Sequence, residues 1–244
     1  MQNAMRITMM SGKRKPKPPA YGGLCFTAEA DNSSVQLTAV GSAPAVTLVK
    51  SFDGVNWEAY AVGEVIDLPS TGDFVYLAAG EGGNETFGSS SSSTPVYHNF
   101  VINGLVAASG DITSIRRFDL EQTTLASSCY LSMFSGCTGL TSAPELPATT
   151  LASSCYRSMF YGCTGLTSAP ELPATKLAST CYLSMFEGCT NLSLIKVRFT
   201  TWGLQTSKWV SRVSPTGIFY KPTALPEEYG TAKIPTGWTV VNID

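Results

Sequence analysis

Residues Ser153–Tyr182 read "SSCYRSMFYGCTGLTSAPELPATKLASTCY". The stretch begins and ends on the same phrase, and Ser127–Thr149 is nearly identical to Ser153–Thr175. Three copies align at a period of 26 residues. Leu125, Leu151 and Leu177 coincide, as do Cys129, Cys155 and Cys181, and Met133, Met159 and Met185. Phe134, Phe160 and Phe186 also coincide, as do Cys137, Cys163 and Cys189. A period of about 20–29 residues is that of leucine-rich repeats.

In the middle copy Leu151, Cys155, Met159 and Cys163 recur at four-residue steps, with Tyr156 and Phe160 beside them. That spacing predicts a helix with one broad apolar face. Ser153 and Ser154 stand where a helix is capped, and Gly162 and Gly165 stand where one ends. Pro170 and Pro173 exclude helix from "LTSAPELP", which reads as a short extended stretch with Leu166, Ala169 and Leu172 turned inward. One such unit cannot bury its apolar side alone, whereas stacked copies can. The repeat region therefore predicts a solenoid of helix plus short strand.

Working outward, residues 23–105 carry short runs rich in Val, Leu, Phe, Tyr and Thr, broken by Gly, Asn, Asp, Ser and Pro. These read as strands of a small β-sandwich. "SFDGVNWEAY" marks a hairpin turning at Asp53-Gly54. The expected fold is thus α+β. It comprises a basic arm over 1–22, a sandwich over 23–105, a leucine-rich-repeat solenoid over 106–199, and a C-terminal cap over 200–244 sealed by Trp202, Trp209 and Trp238.

The repeat phrase resembles the BspA-type leucine-rich repeats of gut-bacterial surface proteins and of the phages that infect those bacteria. The likeness rests on "LASSCYxSMFxGCTGLTSAPELPAT" and covers 124–199. "SFDGVNWEAY" with "VINGLVAASGDITSI" is similar to the domain that often precedes such repeats. "GIFYKPTALPEEYGTAKIPTGWTVVNI" is similar to the cap that often follows them. The resemblance implies adhesion or surface recognition and supplies no catalytic residues. It also implies two settings, a phage virion protein (head or tail fibre, or decoration protein) and a bacterial cell-surface adhesin.

Composition fits a display protein. Charged residues are 14% of the chain, against about 25% in ordinary soluble domains. The net charge of −2 argues against a nucleic-acid partner. No run of about 18 apolar residues exists to span a membrane. The N-terminus has no secretory h-region. Either a leader has been removed or the chain never used that route, and the second is the expectation that favours a virion. "SGKRKPKPPA" sets Lys13, Arg14, Lys15 and Lys17 among prolines and reads as an extended arm. Its expected role is anchorage to other virion proteins. Several copies together, a homo-oligomer, would present the repeats to a host surface or to glycans.

Seven cysteines are an odd number, and six of them lie in the repeat. Neither a disulfide framework nor metal-ligand spacing is present, so they read as small buried hydrophobes. No catalytic pair, metal or cofactor is expected. His98 is the single histidine. Glu145 and Glu171 occupy equivalent positions and would lie roughly 5 Å apart on adjacent strands. Val197 replaces them in the third copy, which predicts an exposed rim and not an acid–base pair. The informative letters are those that change between copies. Leu131, Arg157 and Leu183 share one position, Ser135, Tyr161 and Glu187 another, and Thr124, Thr150 and Lys176 a third. Core positions must stay fixed for stacking, so Arg157, Tyr161, Lys176 and Glu187, with Glu145 and Glu171, are the binding candidates.

Overall fold

The computed structural model describes residues 22–89, 94–117 and 124–244. Lys13, Arg14, Lys15 and Lys17 of the arm lie outside those residues. The strands are β1 (Cys25–Ala28), β2 (Ser33–Val40), β3 (Leu48–Ser51), β4 (Glu58–Tyr60), β5 (Val65–Leu68), β6 (Phe74–Ala79), β7 (Gly88–Ser89), β8 (Val96–Asn103) and β9 (Val106–Ser109). After them come β10 (Leu140–Ser142), β11 (Leu194–Lys196), β12 (Ile218–Pro222) and β13 (Thr239–Ile243).

One sheet runs β5-β2-β8-β7, and a second runs β10-β9-β1-β6-β3-β4. Alternation decides the inner faces: Val35 and Leu37 of β2 are buried, while Gln36 and Thr38 between them are half-exposed. The sheets meet through aromatics, with Phe26 of β1 edge-on to Phe100 of β8 at 4.9 Å. The expected hairpin joins β3 to β4, with Leu48 opposite Tyr60. Its turn is held by Asp53, whose carboxylate accepts the Val55 and Asn56 N–H groups at 2.8 and 2.7 Å.

Both sheets run directly into the repeat. β10, from the first copy, pairs in parallel with β9. Beyond the two residues that β7 pairs, the side of β8 facing away from β2 is taken up by the first copy: the Phe100 N–H donates to the Met133 carbonyl at 2.7 Å, and the Asn99 side chain donates to the Ser132 and Ser135 carbonyls at 2.8 and 3.0 Å. One apolar cluster extends from Phe26 through Met159 to Trp238. A further parallel sheet, β11-β12-β13, closes the chain.

The expected α+β class and the leucine-rich-repeat solenoid do not survive. The fold is almost wholly β and turn, and no α-helix is present among the described residues. Where a helix was predicted, each copy forms a ribbon of successive turns. Ser154, Ser158 and Gly162, four residues apart, adopt positive φ of 58°, 53° and 71°. Ser128, Ser132 and Gly136 do the same in the first copy, and Thr180, Ser184 and Gly188 in the third. A left-handed residue at every fourth place is incompatible with a right-handed helix.

Hydrogen bonding shows why the ribbon forms. Cys155, Arg157, Met159 and Tyr161 donate three residues back within their own copy. The residues between them donate to the next copy: Tyr156 to Cys181, Ser158 to Leu183 and Phe160 to Met185, at 2.9–3.2 Å. A helix satisfies its amides internally, whereas this ribbon satisfies half of them only through its neighbour. The same alternation lets Cys155 and Tyr156, adjacent in sequence, both point inward and both be buried.

The sequence also conceals a fourth ribbon turn in the expected cap. Ser184, Phe186 and Gly188 donate to Ser207, Trp209 and Ser211. Lys208 and Arg212 carry the positive φ that Ser184 and Gly188 have one copy earlier. Trp209 and Trp238 are buried, and the indoles of Trp202, Trp209 and Trp238 donate to the carbonyls of Pro226, Lys233 and Ser214.

Candidate functional site

The "APELPAT" phrases follow the strand-like face of each copy. Leu146 and Ala148 are buried, as are Leu172 and Ala174. Burying every second residue turns Glu145 and Glu171 outward. Between these two loops lies an open groove of about 540 Å³, lined by Pro144, Glu145, Pro147, Pro170, Glu171 and Pro173. The prolines give it stiff apolar walls, and the two glutamates are its acidic groups.

The carboxylates are not equivalent. Glu171 pairs with Lys196 Nζ at 2.8 Å and with Arg198 Nε at 2.9 Å. The Lys196 bond, and then Arg198, holds its pKa below the ordinary glutamate value. All three side chains are a third or more exposed, so the pairs add little stability. Glu145 has no cationic partner among the described residues. Its backbone bridges to Asp111, whose carboxylate accepts the Thr113 N–H at 2.7 Å. Burial raises the Asp111 pKa, and the charge of Glu145 adds to the rise.

Arg157, Tyr161 and Glu187 lie elsewhere, on the ribbon face. Tyr161 is 40% exposed, and Arg157 and Glu187 are half-buried. Glu187 lies 3.4 Å from the guanidinium of Arg212, which occupies the place of Gly188 one turn later. Lys176 is exposed near the corner where Thr124 and Thr150 bridge. The six candidates therefore form no single site. They divide into the ribbon-face group, the Glu145–Glu171 groove and the isolated Lys176.

Sequence reasoning missed Lys196, Arg198, Arg212 and Asp111. Lys196 and Arg198 had a signal: the third copy breaks from "TSAPEL" into "SLIKVR", placing cations where the middle copy carries Pro170 and Leu172. Arg212 had none, because the fourth turn shares almost no letters with the others.

His98 is buried beneath Phe87, its Nδ1 is 3.1 Å from the Phe87 carbonyl, and burial lowers its pKa. All seven cysteines are free thiols and buried. No cluster of metal-ligating side chains occurs among the described residues. Compared with known proteins, the chain matches no family model, no curated protein and no solved structure. Among the described residues no helix is long and apolar enough to cross a membrane.

Proposed function

We propose that the chain is a non-enzymatic display protein of a phage particle, a fibre component or decoration protein, whose stacked repeats adhere to a host surface or to mucus glycans. One observation carries this reading. The residues that pack one copy on the next recur unchanged: Cys155, Tyr156, Met159, Phe160 and Cys163 are at most 1% exposed. Of the letters that change between copies, Arg157, Tyr161 and Lys176 are exposed or half-exposed, while Leu131, in the place of Arg157 one copy earlier, is buried. A scaffold that fixes its interior and varies its surface suits recognition better than catalysis, which needs converging groups in a closed pocket. The resemblance of the repeat phrase to those of gut bacteria and their phages supplies the setting. Several copies on one particle, arranged as a homo-oligomer, would gain avidity from weak individual contacts.

Gold-labelled antibody against residues 22–244 tests the location on purified phage particles and on host cells. Label on the particles, with retention of the multimeric protein on immobilised mucin, is the expected result. Label confined to the cell envelope would replace this reading with a bacterial surface adhesin. Absence of both label and retention would overturn both readings.

A further inference from the structure

We propose that the groove between Glu145 and Glu171 is the seat of this chain's own basic, proline-rich segment, residues 13–19. The argument begins where the chain enters the body. The carbonyl of Gly22 accepts the Asp111 N–H at 2.8 Å, and the carbonyl of Gly110 accepts the Glu145 N–H at 2.8 Å. Asp111 and Glu145 form a parallel bridge. Gly22, Asp111 and Glu145 therefore stand on three consecutive rungs, and the copy bearing Glu171 forms the next. With about 4.8 Å between rungs, Glu145 is about 10 Å from the rung of Gly22 and Glu171 about 14 Å.

The reach is sufficient. Lys17 precedes Gly22 by five residues and Lys15 by seven. Extended chain covers about 3.3 Å per residue, so both lysines can place their ammonium groups over the groove. What arrives matches what lines it. The segment reads "KRKPKPP", with four cations and three prolines. The groove offers Pro144, Pro147, Pro170 and Pro173 as apolar walls, and Glu145 as a carboxylate with no cationic partner among the described residues. Asp111, half-buried beside Glu145, gains from any cation brought near it. Proline-rich chain loses little conformational freedom on docking, because its extended form is preformed. The short tether gives the chain's own segment an effective concentration in the millimolar range, well above that of a second copy in dilute solution.

Zero-length carbodiimide coupling of the full chain tests this, using an equal mixture of unlabelled and nitrogen-15-labelled protein. The coupling joins lysine amines to carboxylates in contact. The expected product is an intrachain link from Lys15 or Lys17 to Glu145 or Asp111. The Glu145 link should be lost in Glu145→Gln, and yield should fall in 1 M salt as surface charge is screened. Glu145 is exposed, so Glu145→Gln should keep the unfolding midpoint of the parent, which separates loss of docking from loss of fold. Links joining a light to a heavy chain would overturn docking in favour of exchange between copies. Absence of any link from Lys13, Lys15 or Lys17 to the groove carboxylates would overturn it outright. Neither result depends on where the particle carries the protein.

Discussion

The thiol of Cys163 donates to the carbonyl oxygen of Phe134, one copy earlier, at 2.9 Å. Cys189 repeats the bond to Phe160, and Cys137 makes it to Phe100 of β8, each at 2.9 Å. The thiols thus link successive turns of the ribbon, and Cys137 links the first turn to the preceding sheet. A merely apolar filler would rank Cys163→Ala above Cys163→Ser in stability, because serine brings a hydroxyl into the core. A donor ranks them the other way. We expect Cys163→Ala to lose about 1–2 kcal/mol and Cys163→Ser to lose less. Urea unfolding of the two variants decides, and the reverse order would return these cysteines to simple packing.

Alkaline conditions should unfold the protein unusually early. Burial holds Cys129, Cys137, Cys181 and Cys189 at about 12. An unfolded cysteine titrates near about 8.5. Between those values the unfolded chain has released protons that the folded chain keeps. The stabilisation is therefore complete below about pH 8.5 and is lost as pH rises towards about 12, by up to about 1.4 kcal/mol per pH unit for each thiol. The buried Tyr130, Tyr156 and Tyr182 are raised in the same direction and steepen the loss above their ordinary range. Urea midpoints should hold between pH 6 and 8 and collapse near pH 10. A midpoint that is level through pH 10 would contradict the burial of these groups.

The turn ribbon makes opposite demands from a helix at one residue. Ser158 has φ of 53°, a region glycine enters freely and alanine resists. Ser158→Gly should leave stability within about 0.5 kcal/mol, and Ser158→Ala should cost about 1 kcal/mol. In a helix the order inverts, since alanine is the best helix former and glycine is among the worst. Thermal melts of the pair read the local conformation directly. A more stable Ser158→Ala would restore the helical reading.

That inversion also shows where the sequence was legible and where it was not. The period, the inward leucines and the outward glutamates follow from proline positions and alternation alone. The helical expectation fails because apolar residues four apart fit both a helix and a ribbon of four-residue turns. The distinguishing letters lay beside them. In "SCYR-SMFY-GCTG" a glycine falls in the same register as two serines. That marks three equivalent left-handed positions, which no helix requires. The division of the candidates into the ribbon-face group, the groove and Lys176 was not legible either, because it depends on how successive copies stack and not on spacing within one copy. The fourth turn could not be read at all, because its backbone follows the ribbon while Lys208 and Arg212 replace Ser and Gly in the left-handed positions.

Two aromatic columns give that fourth turn its weight. Phe87, Tyr130, Tyr156 and Tyr182 stack in sequence and reach Trp209, the last step being 6.4 Å. Phe100, Phe134, Phe160 and Phe186 stack beside them and reach the same Trp209 at 6.2 Å. Trp209 is fully buried, and its indole N–H donates to the Lys233 carbonyl at 2.9 Å. It therefore closes both columns and ties them to the chain that follows. Trp209→Ala leaves a large cavity under Tyr182 and Phe186 and should cost about 3–5 kcal/mol. Trp209→Phe keeps a ring but loses the hydrogen bond, and should cost less. Because one core runs from the first sheet to Trp238, near-ultraviolet and far-ultraviolet circular dichroism should report the same urea midpoint for the parent and for both variants. A loss under about 1 kcal/mol for Trp209→Ala, or two separated transitions in the parent, would mean that the columns do not carry stability from one end of the stack to the other.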